Sequence, residues 1–252
     1  MSGLIKKLVY KLVTHFGLGK GGGKVVNRIT IDAWKDSVEE IRKKQQIKGE
    51  KHLHIKHVST SIDGERFIKK HGLLDLNSLL KMCGSPLTLF LLDNGIHVDV
   101  DDMVLKFNGK AHSIEEDSRA NYLWNKLVKC GGQREFFAWT KTNQEMENYS
   151  CVRDCPEILS SVRFYIKEYF NEKVDLYKKW TDLKPIRLTY EVDIPLQTIT
   201  DSSGKRIDER DIIDTIIKKK KSNSGYLCFA VDNSYPIPYK KLVKTYEQPT
   251  YN

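Results

Sequence analysis

The chain has 252 residues, 40% hydrophobic and 10% aromatic, the make-up of a globular protein that can bury a sizeable core. No run approaches the roughly 18 uninterrupted apolar residues of a membrane span. Net charge is +9, and residues 1–73 hold 16 Lys+Arg against 7 Asp+Glu, while the remainder holds 26 of each. The whole excess therefore sits in the amino-terminal third, which points to an anionic partner, lipid or nucleic acid.

Residues 1–31 carry Lys6, Lys7, Lys11, Lys20, Lys24 and Arg28 and no acid; the first acid is Asp32. Leu4, Ile5, Leu8, Val9, Leu12, Val13 and Phe16 recur at helical spacing and predict one apolar stripe, with the lysines opposite. Gly17 ends that helix, and GLGKGGGK behind it reads as a tether. A helix this short is marginal alone in water. It needs an apolar surface: a membrane interface with anionic headgroups for the lysines, or a protein surface of its own or of a neighbour. Lysines interrupt the apolar run and Ser2 precedes Gly3, so neither a secretory nor a myristoylation signal is expected.

From Asp32 to Ile47 a second helix is expected, capped by Asp32 and ending on Arg42, Lys43 and Lys44. KHLHIKHV alternates Leu53 and Ile55 with His52, His54 and Lys56, the pattern of a strand with one solvated face. Asp75 to Cys83 reads as a short helix. PLTLFLLD, 86–93, reads as a central strand, with a hairpin turn at Asn94-Gly95 and IHVDV as its partner. MVLKF, 103–107, extends the sheet. Ser113 and Glu116 suggest a capping box opening a helix to about Cys130, before strand EFFAWT, 135–140.

Residues 141–154 are loop-like. A helix is expected from Pro156 towards Trp180, then strand IRLTYEVDI, 186–194. A helix from Arg206 to Lys221, strand YLCFAVD and a tail irregular from about residue 233 complete the pattern. The expected organisation is a basic amphipathic segment and tether over 1–31 and a single body over 32–252. The fold class is α+β, a mostly antiparallel sheet packed with several helices.

Sites of chemistry are sparse. GLGKGGGK lacks the order of a phosphate-binding loop: Leu18 stands where its first glycine belongs and Val25 follows the lysine. His52 and His54 share a face while His57 points away, so zinc is not expected. Asp93, Asp99, Asp101 and Asp102 could hold a divalent ion in a nuclease, but read more simply as a solvated face. Five cysteines, an odd count, are expected as reduced thiols. No catalytic residue, cofactor or metal site is expected. Lys218, Lys219, Lys220 and Lys221 form a basic cluster suited to nuclear import or phosphate contact. Few aromatics flank the basic clusters, which argues against a groove stacking single-stranded bases.

LIKKLVYKLVTHFGLGKGGGK resembles the basic amino-terminal arm of rhabdovirus-type matrix proteins, those of plant-infecting relatives among them. The ending IRLTYEVDIP, DERDIIDTIIKKKK and GYLCFAVD is similar as well. The P-P-x-Y budding motif of animal-virus members is lacking. The resemblance implies a non-enzymatic virion protein that lines the inner face of the envelope, condenses the nucleocapsid and self-associates. In the host it would be found in cytoplasm and at membranes, and in the nucleus if Lys218 to Lys221 act. On that reading, Leu4, Ile5, Leu8, Val9, Leu12, Val13 and Phe16 insert while Lys6, Lys7, Lys11, Lys20 and Lys24 hold anionic lipid. Arg42, Lys43, Lys44, Lys48, Lys51 and Lys56 then face the nucleoprotein–RNA or another subunit. The alternative is a sequence-independent nucleic-acid-binding protein of movement or silencing-suppressor type, using the same basic third on phosphates.

Overall fold

The computed structural model describes residues 27–116, 119–130, 133–139, 154–201, 204–222, 226–232 and 235–249. The amphipathic stripe and tether expected before residue 27 lie outside them, as does almost all of the loop expected over 141–154.

The fold is α+β, as the sequence predicts. Strand β1, Arg28–Asp32, lies inside the stretch assigned to the tether, so the body begins before Asp32. Helix α1 is Val38–Gln46. Its cap is Ser37, in a reciprocal capping box with Glu40, and not Asp32. Asp32 instead accepts the backbone N–H groups of Trp34 and Lys35, closing the turn before the helix.

Strand β2, Glu50–Ser61, is followed by helices α2, Arg66–His71, and α3, Leu76–Lys81, the latter capped by Asp75. PLTLFLLD is not a strand but helix α4, Pro86–Asp93. Ser85 caps it and Pro86 occupies its first turn, where a missing N–H costs nothing. The apolar run suits a helix with Leu87, Phe90 and Leu91 turned inward. Asn94-Gly95 accordingly closes a helix, with Gly95 in the left-handed region at φ 71°.

Strands β3, Ile96–Asp99, β4, Val104–Phe107, and β5, Lys110–Ser113, form a small antiparallel meander. Ser113 ends β5 and opens no helix. Helix α5 covers only Asn121–Asn125 and continues as a π-turn over Lys126–Cys130. Then come β6, Gln133–Trp139, helix α6, Ile158–Phe170, and helix α7, Leu176–Asp182. The single helix expected from Pro156 to Trp180 is broken by Asn171, which is left-handed at φ 54°.

Strand β7, Ile186–Pro195, a short β8, Ile199–Thr200, helix α8, Glu209–Lys221, and β9, Tyr226–Asp232, follow. The tail is not wholly irregular: Val243–Pro249 is strand β10, paired antiparallel with β7. Glu65 fastens this region, accepting hydrogen bonds from Tyr190, Tyr239 and Lys244.

The main sheet runs β10-β7-β2-β6-β9-β8, with β1 parallel to β2 and the other pairings among the described residues antiparallel. One hydrophobic core lies between this sheet and helices α1 and α8: Leu53, Ile55, Tyr190 and Val192 meet Ile41, Ile212, Ile213 and Ile216. A second core joins α4, α6 and α7 to the meander through Phe90, Leu105, Val162, Tyr165 and Trp180.

Candidate functional site

Asn27 and strand β1 are fastened along the start of β2. Glu50 donates its backbone N–H to Asn27 O at 2.9 Å, and Arg28 to Asp32 pair with Glu50 to His54. Gly49 makes the approach possible: a Cβ there would stand 2.1 Å from Asn27 O. This corner also carries the end of α1. Arg42, Lys43 and Lys48 are exposed there, as is Ile47. Arg28 leaves half of its side chain in solvent, 54%.

Lys44, Lys51 and Lys56, grouped with Arg42, Lys43 and Lys48 on sequence grounds, do not share that outward role. Lys44 donates to Asp36 at 2.6 Å. The Lys51 ammonium lies 2.7 Å from Glu209 at the start of α8. Lys56 is 3.3 Å from Glu191 and lies over the Trp34 ring, 4.5 Å from its centroid. Lysines this covered need a counter-charge or a ring, and each has one. The continuous basic face is therefore reduced to Arg42, Lys43 and Lys48.

The histidine face of β2 is covered rather than solvated. His52 is buried, and His54 is held between β1 and β7. His54 Nδ1 lies 2.7 Å from Asp193 Oδ1 and its Nε2 3.3 Å from Glu191. Arg28 reaches the other Asp193 oxygen at 2.8 Å, and Thr30 donates to that oxygen at 3.3 Å. The hydrogen bond to Asp193 raises the His54 pKa against the opposing effect of burial. Burial of Asp193 favours its neutral form, but the His54 hydrogen bond and the charges of His54 and Arg28 hold its pKa below the ordinary value. His52 shifts the other way, lowered by burial first and then by Arg28. Asp193, Glu191 and Glu50 thus face Arg28, Lys56 and His54 in a self-neutralised network, which suits holding β1 in place better than catalysis or phosphate binding.

The other expected sites resolve individually. Lys220 turns inward, its ammonium donating to Ala33 O at 2.6 Å and Trp34 O at 3.0 Å, and burial lowers its pKa. Lys218 and Lys221 remain exposed. Asp99 accepts the N–H groups of Asp101 and Asp102, a turn that lowers its pKa, while Asp101 pairs with Lys81. Among the described residues no three His, Cys, Asp or Glu converge to hold a metal ion. Cys83 is exposed and Cys155 buried.

One surface escaped the sequence reading. Tyr122, Phe164 and Tyr177 are exposed around an open groove that Arg163 also lines, and Tyr122 meets Phe164 edge-to-face at 5.8 Å. Position 122 is far from 164 and 177 in sequence, so only helix packing assembles the group. Exposed aromatics clustered in this way mark an interaction surface.

The fold and this corner define an α+β protein with a charge-latched edge strand at the root of a basic leading segment. Comparison with family models, with curated proteins and with solved structures finds no match.

Proposed function

We propose that this is a non-enzymatic peripheral membrane scaffold of the viral matrix type. Its leading segment binds an anionic bilayer, and its body contacts a ribonucleoprotein and further copies of itself. The observation that carries the reading is the joint placement of charge. Lys6, Lys7, Lys11, Lys20 and Lys24 precede a corner where Arg42, Lys43 and Lys48 stand outward beside exposed Ile47. At roughly 1 kcal/mol per basic residue near an anionic leaflet, the segment and the corner together could supply several kcal/mol. The seven apolar residues from Leu4 to Phe16 would add the burial that favours an interface over free solution. The exposed Tyr122, Phe164 and Tyr177 suit contact between copies, since aromatics dominate the centres of protein interfaces.

The test is co-sedimentation with phosphatidylserine vesicles for the whole chain and for a chain lacking residues 1–24. The reading expects binding that falls with salt, disappears on deletion and leaves the circular dichroism of the body unchanged. Equal binding by both chains would reject it.

A second reading is sequence-independent nucleic-acid binding, favoured by the outward position of Arg42, Lys43 and Lys48. It expects single-stranded RNA to bind with an affinity that drops steeply with salt and is reduced in a variant with these three changed to Ala. Vesicle binding without RNA binding would remove it.

A further inference from the structure

Helix α6 carries an outward stripe that is complementary to itself. Glu157 stands at its start, already in helical conformation at φ −56° and ψ −33°. Ser160, Phe164 and Lys167 follow at steps of three, four and three residues. Those steps keep all four on one face. Ser160, Phe164 and Lys167 are exposed there, and Glu157 keeps 43% of its side chain in solvent.

The spacing is palindromic, and the chemistry at matched positions is opposite. Glu157 and Lys167 are acid and base; Ser160 and Phe164 are small and large. Both pairs share one midpoint, Val162, whose own side chain is buried in the second core. A second α6 laid antiparallel across the first, about a two-fold axis at that midpoint, brings each residue opposite its complement. Phe164 of each copy then enters the space that Ser160 of the other leaves, ridge into groove.

These groups are available for that use. Among the described residues the Lys167 side chain has no ion pair. Glu157 meets Lys126 at 2.8 Å through one carboxylate oxygen, which leaves the second. Phe164 is 39% exposed, and the Tyr122 ring braces it at a right angle. An acid at a helix start and a base near its end also follow from the helix dipole alone. The small and aromatic residues about the same midpoint do not.

We propose that two copies join through α6 in an antiparallel, two-fold contact centred on Val162, with Glu157 of each copy pairing with Lys167 of the other. This rests on the reading that the exposed aromatics meet further copies, and it adds the register in which they meet. The aromatic groups form the centre, and the charged pairs at the rim fix the direction of approach.

The experiment treats the whole chain with a water-soluble carbodiimide, which joins a carboxylate and an amine already in contact, and reads the linked peptides by mass spectrometry. Within one copy Glu157 and Lys167 are about 15 Å apart along the helix, so a link between them forms only between copies. A covalent dimer carrying that link is expected. In sedimentation equilibrium Glu157→Lys and Lys167→Glu should each self-associate about ten-fold more weakly, two attractions having become two repulsions. An equimolar mixture of the two variants should associate as tightly as the unaltered chain, because every rim pair is again opposite in sign. Association of the unaltered chain without the link, or a mixture of the two folded variants no tighter than either alone, would overturn the two-fold contact and leave self-association standing. No association of the unaltered chain would reject both. The cross-link on the unaltered chain decides even if a variant fails to fold.

Discussion

His54 Nδ1 lies 2.7 Å from Asp193 Oδ1, joining residues on directly paired positions of β2 and β7. A histidine whose pKa is raised by folding stabilises the fold while protonated. That contribution is complete below its ordinary value of about 6.5 and fades as pH rises through the folded pKa. His52 has the opposite sign: its lowered pKa gives a contribution present above about 6.5 and lost as pH falls through its folded pKa. NMR titration should place His54 above and His52 below that value. Asp193→Asn should bring His54 down, remove the stability loss seen on raising pH through its folded pKa, and cost about 1–2 kcal/mol in urea unfolding.

Glu65 holds the carboxy-terminal strand to the body. Burial alone would raise its pKa, but hydrogen bonds from Lys244, Tyr190 and Lys69 bring it to about 2. A depressed carboxylate contributes above its ordinary pKa, and the contribution is lost as pH falls through the folded value. Glu65→Gln should therefore cost about 2–3 kcal/mol at pH 7 and much less below pH 2, measured by chemical unfolding at each pH. Hydrogen exchange in 243–249 should rise first, because Lys244 loses its counter-charge.

Lys220 and Lys218 stand in one basic run but behave differently. Lys220→Met should destabilise by about 1–3 kcal/mol, because Ala33 O and Trp34 O lose their donor. Lys218→Ala should change stability by less than about 0.5 kcal/mol. Equal effects in thermal unfolding would contradict this division of a single cluster.

The aromatic group is open to a direct measurement. Tyr122→Ser combined with Phe164→Ser should leave the helical circular dichroism unchanged, since both side chains are exposed. It should weaken self-association roughly ten-fold or more in sedimentation equilibrium, if these rings sit at the centre of the contact as proposed.

What the sequence disclosed followed from local signals. Alternation announced β2 and β7, and Asp75 announced α3. PLTLFLLD was misleading because an eight-residue apolar run has no decisive period. Its Ser85-Pro86 start was the better guide, being a helix cap and first turn. The histidine face looked solvated because its partners, Glu191 and Asp193, arrive from β7, more than a hundred residues away. Sheet register brings them there, and register is not written in either strand alone. The same holds for the covered lysines: Lys51 meets Glu209 only because α8 returns to the start of β2.

Among the described strands β1 is the one parallel neighbour in an otherwise antiparallel sheet, and it is joined to β2 through α1. Tension applied to the chain at Arg28 enters the body through these five residues. A pull directed along the strand loads the whole β1–β2 ladder in shear, together with the Arg28–Asp193 pair, instead of peeling the bonds off singly. Resistance at the joint thus comes from a short stretch of sheet, one ion pair and the side chain of Ile31, which is wholly buried in the first core.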